Sequence, residues 1–242
     1  MSILLNQNPT LKELFEKRVA TSQSGETVEV EADIRPAFAE ALYSAVLKAK
    51  PQLVVEIGMA FGGSSLAILT ALNQIGENGK LISIDPNQST QWRNCGVVAV
   101  KKAGFENSHE LIEKFDYIAL PELLSRGDTI DFAYIDGWHT FDYTLIDFWF
   151  IDKMLKAEGV VGFNDCHLTA VDRVIKFVLS HRKYEEINVG LPIEYSDYTP
   201  LREIKRVAGA GGSRPNYYKQ AQDRYLRKME VWEPDWDFYA EF

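Results

Sequence analysis

Between Leu53 and Ser65 the chain reads LVVEIGMAFGGSS, an apolar run that ends on Glu56-Ile57 and breaks into glycines ahead of a helix-like segment. Such a run, rich in β-branched residues, suits a buried parallel strand. Gly58 lets the chain turn sharply at the strand's end, and Gly62 and Gly63 let backbone approach a ligand where a side chain would stand in the way. Ser64 or Ser65 falls near the N-terminus of the next helix, whose free N–H groups favour acceptor or anionic atoms. Strand, acid, glycine loop and helix in that order make a place for a nucleotide cofactor to dock. The dinucleotide fingerprint G-x-G-x-x-G needs glycines two apart so that backbone can meet a pyrophosphate. Here Met59 and Ala60 follow Gly58 and the next glycine is Gly62, so the fit to NAD is poor. What stands instead is E-x-G-x-x-x-G, with Asp85 closing the following strand.

The elements that must hold this loop follow from periodicity. Residues 9–20 and 34–50 carry helical spacing, with Ile34, Phe38, Leu42, Val46 and Leu47 on one face and Pro51 as a stop. After the loop, Leu66 to Ile75 reads as a helix and Leu81 to Asp85 as a second strand, which completes one βαβ unit. The alternation continues with a helix at 88–103, a weak strand at 109–113, a short helix at 117–125 and a strong strand at 130–136. A helix at 140–155, a strand at 159–163, a helix at 169–181 and a strand at 184–189 follow. Alternating strands and helices imply a parallel sheet covered on both faces, with ligands at the carboxyl ends of the strands.

Composition bounds the rest. A chain of 242 residues with 46% hydrophobic content can bury one substantial core, so a single domain with an appendage is expected. A formal net charge of -9 argues against nucleic acid or an anionic membrane surface as the main partner. The first residues lack a basic region before their brief apolar patch, and no later run approaches the roughly 18 apolar residues of a membrane span. A soluble, cytoplasmic protein is expected. Cys95 and Cys166 stand far apart, which supports neither a disulfide framework nor a thiolate zinc site. The stretch 191–216, with three prolines and a glycine-rich run, reads as a mobile insert or flap, or more plainly as a surface loop. The aromatic-rich tail at 217–242 is expected to pack on the domain or on a second subunit, making a homodimer the expected assembly.

With Asp85, the E-x-G-x-x-x-G loop resembles the class I S-adenosylmethionine-dependent methyltransferases. Ile135-Asp-Gly-Trp-His139, followed by Phe163-Asn-Asp-Cys166, is similar to their catechol O-methyltransferase-like branch, to the antibiotic-sugar O-methyltransferases and to the related cephalosporin-hydroxylase group. The similarity covers roughly residues 34–190. It implies an α/β, Rossmann-like doubly wound fold: a mostly parallel seven-stranded sheet with helices on both faces. Residues 1–50 would form N-terminal helices that cap the substrate or a dimer, and 51–242 the cofactor-binding domain. The resemblance assigns S-adenosylmethionine to Glu56, Gly58, Met59, Gly62, Ser64, Asp85, Asp116, Tyr117, Asp136 and Trp138. It makes Asp136, Asn164 and Asp165 ligands of a divalent cation, Mg²⁺ as a second cofactor, and His139 the base that takes the acceptor's proton.

The chemistry accounts for such residues. A carboxylate offers two acceptors to the two donors of a ribose diol, which suits Asp85, although Asp85-Pro86 is also an ordinary turn. Glu56 either meets the cofactor's amine or orders the loop through backbone N–H groups. A hydroxyl is a poor nucleophile until it loses its proton, and a histidine can accept that proton near neutral pH. A hard cation prefers oxygen ligands and stabilises the oxyanion that forms; Asn164 brings an oxygen but no charge. His139 could instead cap or pack locally, Asp136 could bind cofactor alone, His167 reads as an exposed loop residue, and Trp138 and the Asp116–Tyr117 pair have packing alternatives. The expected activity is methyl transfer from S-adenosylmethionine to a hydroxyl of a small molecule. The competing readings are a metal-independent methyltransferase, a cofactor-binding protein without transfer activity and, on poor glycine spacing, a nicotinamide oxidoreductase.

Overall fold

The computed structural model describes residues 2–76, 78–191, 194–195, 218–219 and 223–242. Two short helices open the chain, α1 (Ile3–Gln7) and α2 (Pro9–Lys17), each begun by a side chain that accepts a backbone N–H: Ser2 from Leu5 and Asn8 from Leu11. A small hairpin, β1 (Val19–Thr21) and β2 (Thr27–Glu29), precedes α3 (Pro36–Ala49), which starts on a proline and ends at the left-handed Lys50. The alternating core runs β3 (Leu53–Ile57), α4 (Gly63–Ile75), β4 (Lys80–Ile84), α5 (Cys95–Lys102), β5 (His109–Ile112), α6 (Asp116–Arg126), β6 (Ile130–Ile135), α7 (Phe141–Met154), β7 (Leu155–Phe163), α8 (Thr169–His181) and β8 (Tyr184–Ile187). Two-residue strands β9 (Glu194–Tyr195) and β10 (Tyr218–Lys219) pair with each other, and β11 (Arg224–Lys228) ends the regular structure. The expected insert at 191–216 lies mostly outside the described residues.

The main sheet has seven strands in the order β5-β4-β3-β6-β7-β11-β8. The first five are parallel, and β11 runs antiparallel to both of its neighbours. Successive residues of a strand face opposite sides, so Val54, Leu81, Phe132 and Val160 pack under α1 to α5, while Val55, Ile82, Ala133 and Val161 pack under α6 to α8. This is the expected doubly wound, mostly parallel sheet. Its turning point lies between β3 and β4 on one side and β6 on the other, where helices leave for opposite faces and a crevice opens at the strands' carboxyl ends.

Three elements depart from the periodicity. The helix expected from residue 88 starts at Cys95, because Arg93 and Asn94 both sit in the left-handed region and interrupt it. Strand β7 begins at Leu155 rather than at 159; Leu155 is buried but residues 156–158 are exposed, and Glu158 at φ 66 marks the irregularity that the register against β6 also shows. The tail contributes a central strand, β11, which inserts Tyr225 into the core against Tyr134. Further on, Phe238 and Phe242 pack around His181, whereas Trp236 is exposed. No helix among the described residues is long and apolar enough to cross a membrane.

Candidate functional site

Strand β3 ends in a loop that only glycine can enter. Gly58 has φ +86, and a Cβ there would stand 2.0 Å from the carbonyl oxygen of Asp136 at the end of β6. The loop is tied to the neighbouring strand ends by Gly58 N–H donating to Ile84 O at 2.9 Å and Asp136 N–H donating to Ile57 O at 2.8 Å. Asp85, buried just beyond β4, holds the loop from below. Its Oδ2 accepts from the N–H groups of Met59 at 3.1 Å and Ala60 at 2.9 Å and from Gln88 Nε2 at 3.0 Å. Among the described residues its Oδ1 accepts only from Asn87 N–H, which leaves a lone pair for a ligand.

A cavity of about 810 Å³ opens above this loop, within the usual range for small-molecule sites. Gly58, Met59, Ser64, Asp85, Asp116, Asp136, Trp138, His139, Asn164 and Asp165 all line it. Three other expected residues do not. Glu56 is fully buried behind the loop, where its Oε2 accepts from Ser65 Oγ at 2.5 Å and Ser83 Oγ at 2.7 Å, and burial raises its pKa. Gly62 starts α4 at φ +89 and faces Gly96, whose Cα a Cβ would meet at 3.1 Å, so it serves the approach of α5. Tyr117 is 45% exposed and stacks on Phe115, which lines the cavity in its place.

The catalytic candidates sit where β6 and β7 end. His139 Nε2 lies 3.0 Å from Asp165 Oδ2 and 3.9 Å from Asp136 Oδ1. Asp165 adopts the left-handed region at φ 51, which Asp tolerates better than most residues and which turns the chain abruptly after β7. His167 Nδ1 approaches the other Asp165 oxygen at 3.6 Å. Burial pushes the Asp136 carboxyl well above the usual carboxylate range, opposed by a hydrogen bond from Asn164 and reinforced by the charges of Asp223, Asp165 and Glu56. Asp223, just before β11, accepts from Tyr134 Oη at 2.9 Å and Tyr225 Oη at 3.3 Å, and burial raises its pKa to about 7.

The oxygens expected to bind a cation are otherwise engaged. Asn164 Oδ1 accepts from the N–H of Asp165 at 2.6 Å, Asp136 receives a hydrogen bond from the Asn164 side chain, and Asp165 faces His139. No group of three or more His, Cys, Asp or Glu residues placed to hold a metal ion occurs among the described residues. As arranged, Asp136, Asn164 and Asp165 are a poor fit to a divalent cation: Asn164 brings no charge, its amide is held between the Asp165 N–H and Asp136, and Asp165 is paired with His139.

The segment before α3 forms the cavity's far wall through Arg18, Glu31, Asp33 and Arg35. Asp33 was not legible in the sequence as a site residue, since it stands in a stretch without motif or periodicity. Its Oδ1 accepts from Ile34 N–H, its Oδ2 meets no donor among the described residues, and burial raises its pKa to about 7.

A sheet ordered with one antiparallel strand next to its far edge, a glycine loop after the central strand and an acid after the adjoining one define a class I methyltransferase fold. Residues 55–166 match the family model of a methyltransferase domain. No curated protein matches the chain. Among solved structures it is similar to an O-methyltransferase from Bacillus cereus in complex with S-adenosylhomocysteine, with TM-score 0.67 and 12% identity over 93% of this chain and 94% of that one. It is also similar to the O-methyltransferase TomG of Streptomyces achromogenes, involved in tomaymycin synthesis and solved with S-adenosylmethionine, with TM-score 0.62 and 14% identity over 93% and 89% of the two chains. A putative O-methyltransferase from Klebsiella pneumoniae gives TM-score 0.62 and 13% identity over 92% and 90%.

Proposed function

We propose that the chain transfers a methyl group from S-adenosylmethionine to a hydroxyl of a small molecule, with His139 as general base. The observation that carries this reading is the placement of His139, paired with Asp165 at 3.0 Å, in the same cavity as the glycine loop and Asp85. The lining fits the cofactor: the backbone cradle at Gly58 excludes a Cβ, Asp85 retains an acceptor for a ribose hydroxyl, and the acidic wall suits a sulfonium cation.

When bound, S-adenosylmethionine supplies an electrophilic methyl group that an oxygen displaces in line, the C–S electron pair returning to sulfur. The rest falls to the chain's own residues. Facing a carboxylate, His139 carries its proton on Nε2 and donates it to Asp165, which leaves Nδ1 as the acceptor. Nδ1 takes the proton of the acceptor hydroxyl as the C–O bond forms, and Asp165 stabilises the imidazolium, an orienting role familiar from other acid–histidine pairs. Arg18, Glu31 and Arg35 close the far side of the cavity, where the N-terminal segment caps the acceptor. No step is routed through a metal.

Titration calorimetry with S-adenosylhomocysteine tests the cofactor; no heat and no thermal shift at saturating ligand refute it. Turnover on a panel of catechols and hydroxylated sugars tests the transfer. His139→Ala is expected to leave S-adenosylhomocysteine affinity unchanged and to lower kcat by roughly 10²–10⁴; unchanged turnover removes His139 from the mechanism. Activity is expected to survive EDTA, and its loss with recovery on added Mg²⁺ would restore the metal to the site.

A further inference from the structure

Helix α7 carries a carboxyl group that the mechanism does not use. Asp147 is fully buried, and among the described residues neither of its oxygens meets a hydrogen-bond donor. Among the described residues no lysine, arginine or histidine forms an ion pair with it. It lies directly behind the cavity, 3.8 Å from where a Cβ on Gly137 would stand. The group within hydrogen-bonding reach is the carboxyl of Asp116, at the first turn of α6, which is itself almost wholly covered but lines the cavity. Asp116 Oδ1 already accepts from Tyr117 N–H at 2.7 Å.

Two carboxylates that meet in a buried place without a cation cannot both stay ionised; one keeps a proton and gives it to the other. Asp147 is the more deeply buried of the two and faces no other charged partner, whereas Asp116 opens on the cavity. We infer that Asp147 is a proton-bearing positioning residue that donates a hydrogen bond to Asp116 and holds it as the acceptor for the exocyclic amine of the cofactor's adenine. The pair then selects a 6-aminopurine over a 6-oxopurine, since the oxo group would set an acceptor against an acceptor. Burial and the proximity of Asp116 both raise the pKa of Asp147, as this role requires. The other titratable groups at this place are Tyr143 and Asp142 on α7 and Tyr117 on α6, none of which supplies a positive charge.

The inference rests on the reading that the cavity binds S-adenosylmethionine. Calorimetry with S-adenosylhomocysteine and S-inosylhomocysteine, on the wild type, Asp147→Asn and Asp147→Leu, tests it. The wild type is expected to prefer the adenosyl compound at least tenfold. Asp147→Asn keeps an N–H donor toward Asp116 and the preference with it. Asp147→Leu loses the donor, weakens S-adenosylhomocysteine about tenfold and leaves the inosyl compound unchanged. A leucine variant that keeps the full preference, or a wild type that binds both compounds equally, overturns the inference while leaving the cofactor reading intact; a wild type that binds neither overturns both. Should the leucine variant not fold, the pH profile decides. Wild-type affinity for S-adenosylhomocysteine falls on the alkaline side as Asp147 loses its proton, that of Asp147→Asn does not, and parallel profiles refute the assignment.

Discussion

Replacing Gly58 by alanine separates two reasons for a glycine. At φ +86 any residue with a Cβ is strained by about 1–2 kcal/mol, a cost partly offset because alanine also restricts the unfolded chain by about 0.4–1 kcal/mol. Gly25 shares that conformation, φ +85, but has nothing within 4 Å of its would-be Cβ, so Gly25→Ala reads the backbone cost alone, about 1 kcal/mol. At Gly58 the new Cβ would lie 2.0 Å from the Asp136 carbonyl oxygen, and contacts under 3.0 Å are essentially never seen, so the end of β6 must retreat by about 1 Å. Overpacking of that kind adds about 1–3 kcal/mol. Gly58→Ala is therefore expected to cost about 2–4 kcal/mol. In a domain of this size each kcal/mol lowers Tm by about 2–4 °C, giving a fall of about 4–16 °C against about 2–4 °C for Gly25→Ala. Since the displaced strand end carries Asp136, Gly58→Ala should also weaken S-adenosylhomocysteine tenfold or more, while Gly25→Ala leaves it unchanged. Differential scanning calorimetry and titration calorimetry measure both quantities. Equal behaviour of the two variants in both would refute the argument that this loop is glycine because β6 leaves no room.

Two further predictions concern buried acids beside β11. Asp152 accepts from Lys228 Nζ at 3.0 Å, Arg182 Nε at 3.2 Å and Tyr184 Oη at 2.7 Å, all nearly excluded from water. Asp152→Ala leaves two buried cations uncompensated and is expected to cost about 3–5 kcal/mol in urea unfolding; a loss under about 1 kcal/mol would contradict it. Asp223 binds its proton more tightly folded than unfolded, with a pKa of about 7 against 3.8, so the wild type loses stability as pH rises from about 4 to about 7. Asp223→Asn still accepts from Tyr134 without titrating, so it should match the wild type near pH 4 and exceed it by up to about 4 kcal/mol at pH 7 and above. A difference that does not grow with pH would refute this.

Most of the alternating core was legible because burial on both faces forces near-continuous apolar runs in β3, β4 and β6, and these runs end at residues with chemical capacity. The glycine loop, Asp85, Asp136 and His139 were legible for the same reason: a strand's carboxyl end is where the fold puts ligands. The close approach of Gly62 to Gly96 was not legible, because a glycine beside a ligand and a glycine beside another backbone look alike in sequence. Strand β11 was hidden because RYLRK carries charged ends on a central strand, and those charges make sense with Asp152 of α7, Asp172 of α8 and Glu185 and Glu186 of β8 beside them. Asp33, which lines the cavity, and Asp147, which lies behind it, could not be found from the sequence, since their relevance comes from long-range packing and not from spacing.

The position of β11 sets an order of events during synthesis. Strands β7 and β8 leave the ribosome first, and neither can complete its ladder until residues 224–228 emerge to fill the slot between them. Until then a nascent chain presents two facing rows of unpaired N–H and C=O groups, the surface through which partly made sheets stick to one another. Asp223 arrives in the same step, so the buried acid pairing with Tyr134 and Tyr225 beneath the cavity is absent from every earlier stage. Truncation before Arg224 is thus expected to yield a chain that aggregates during translation, because its sheet and its site are finished by the same strand.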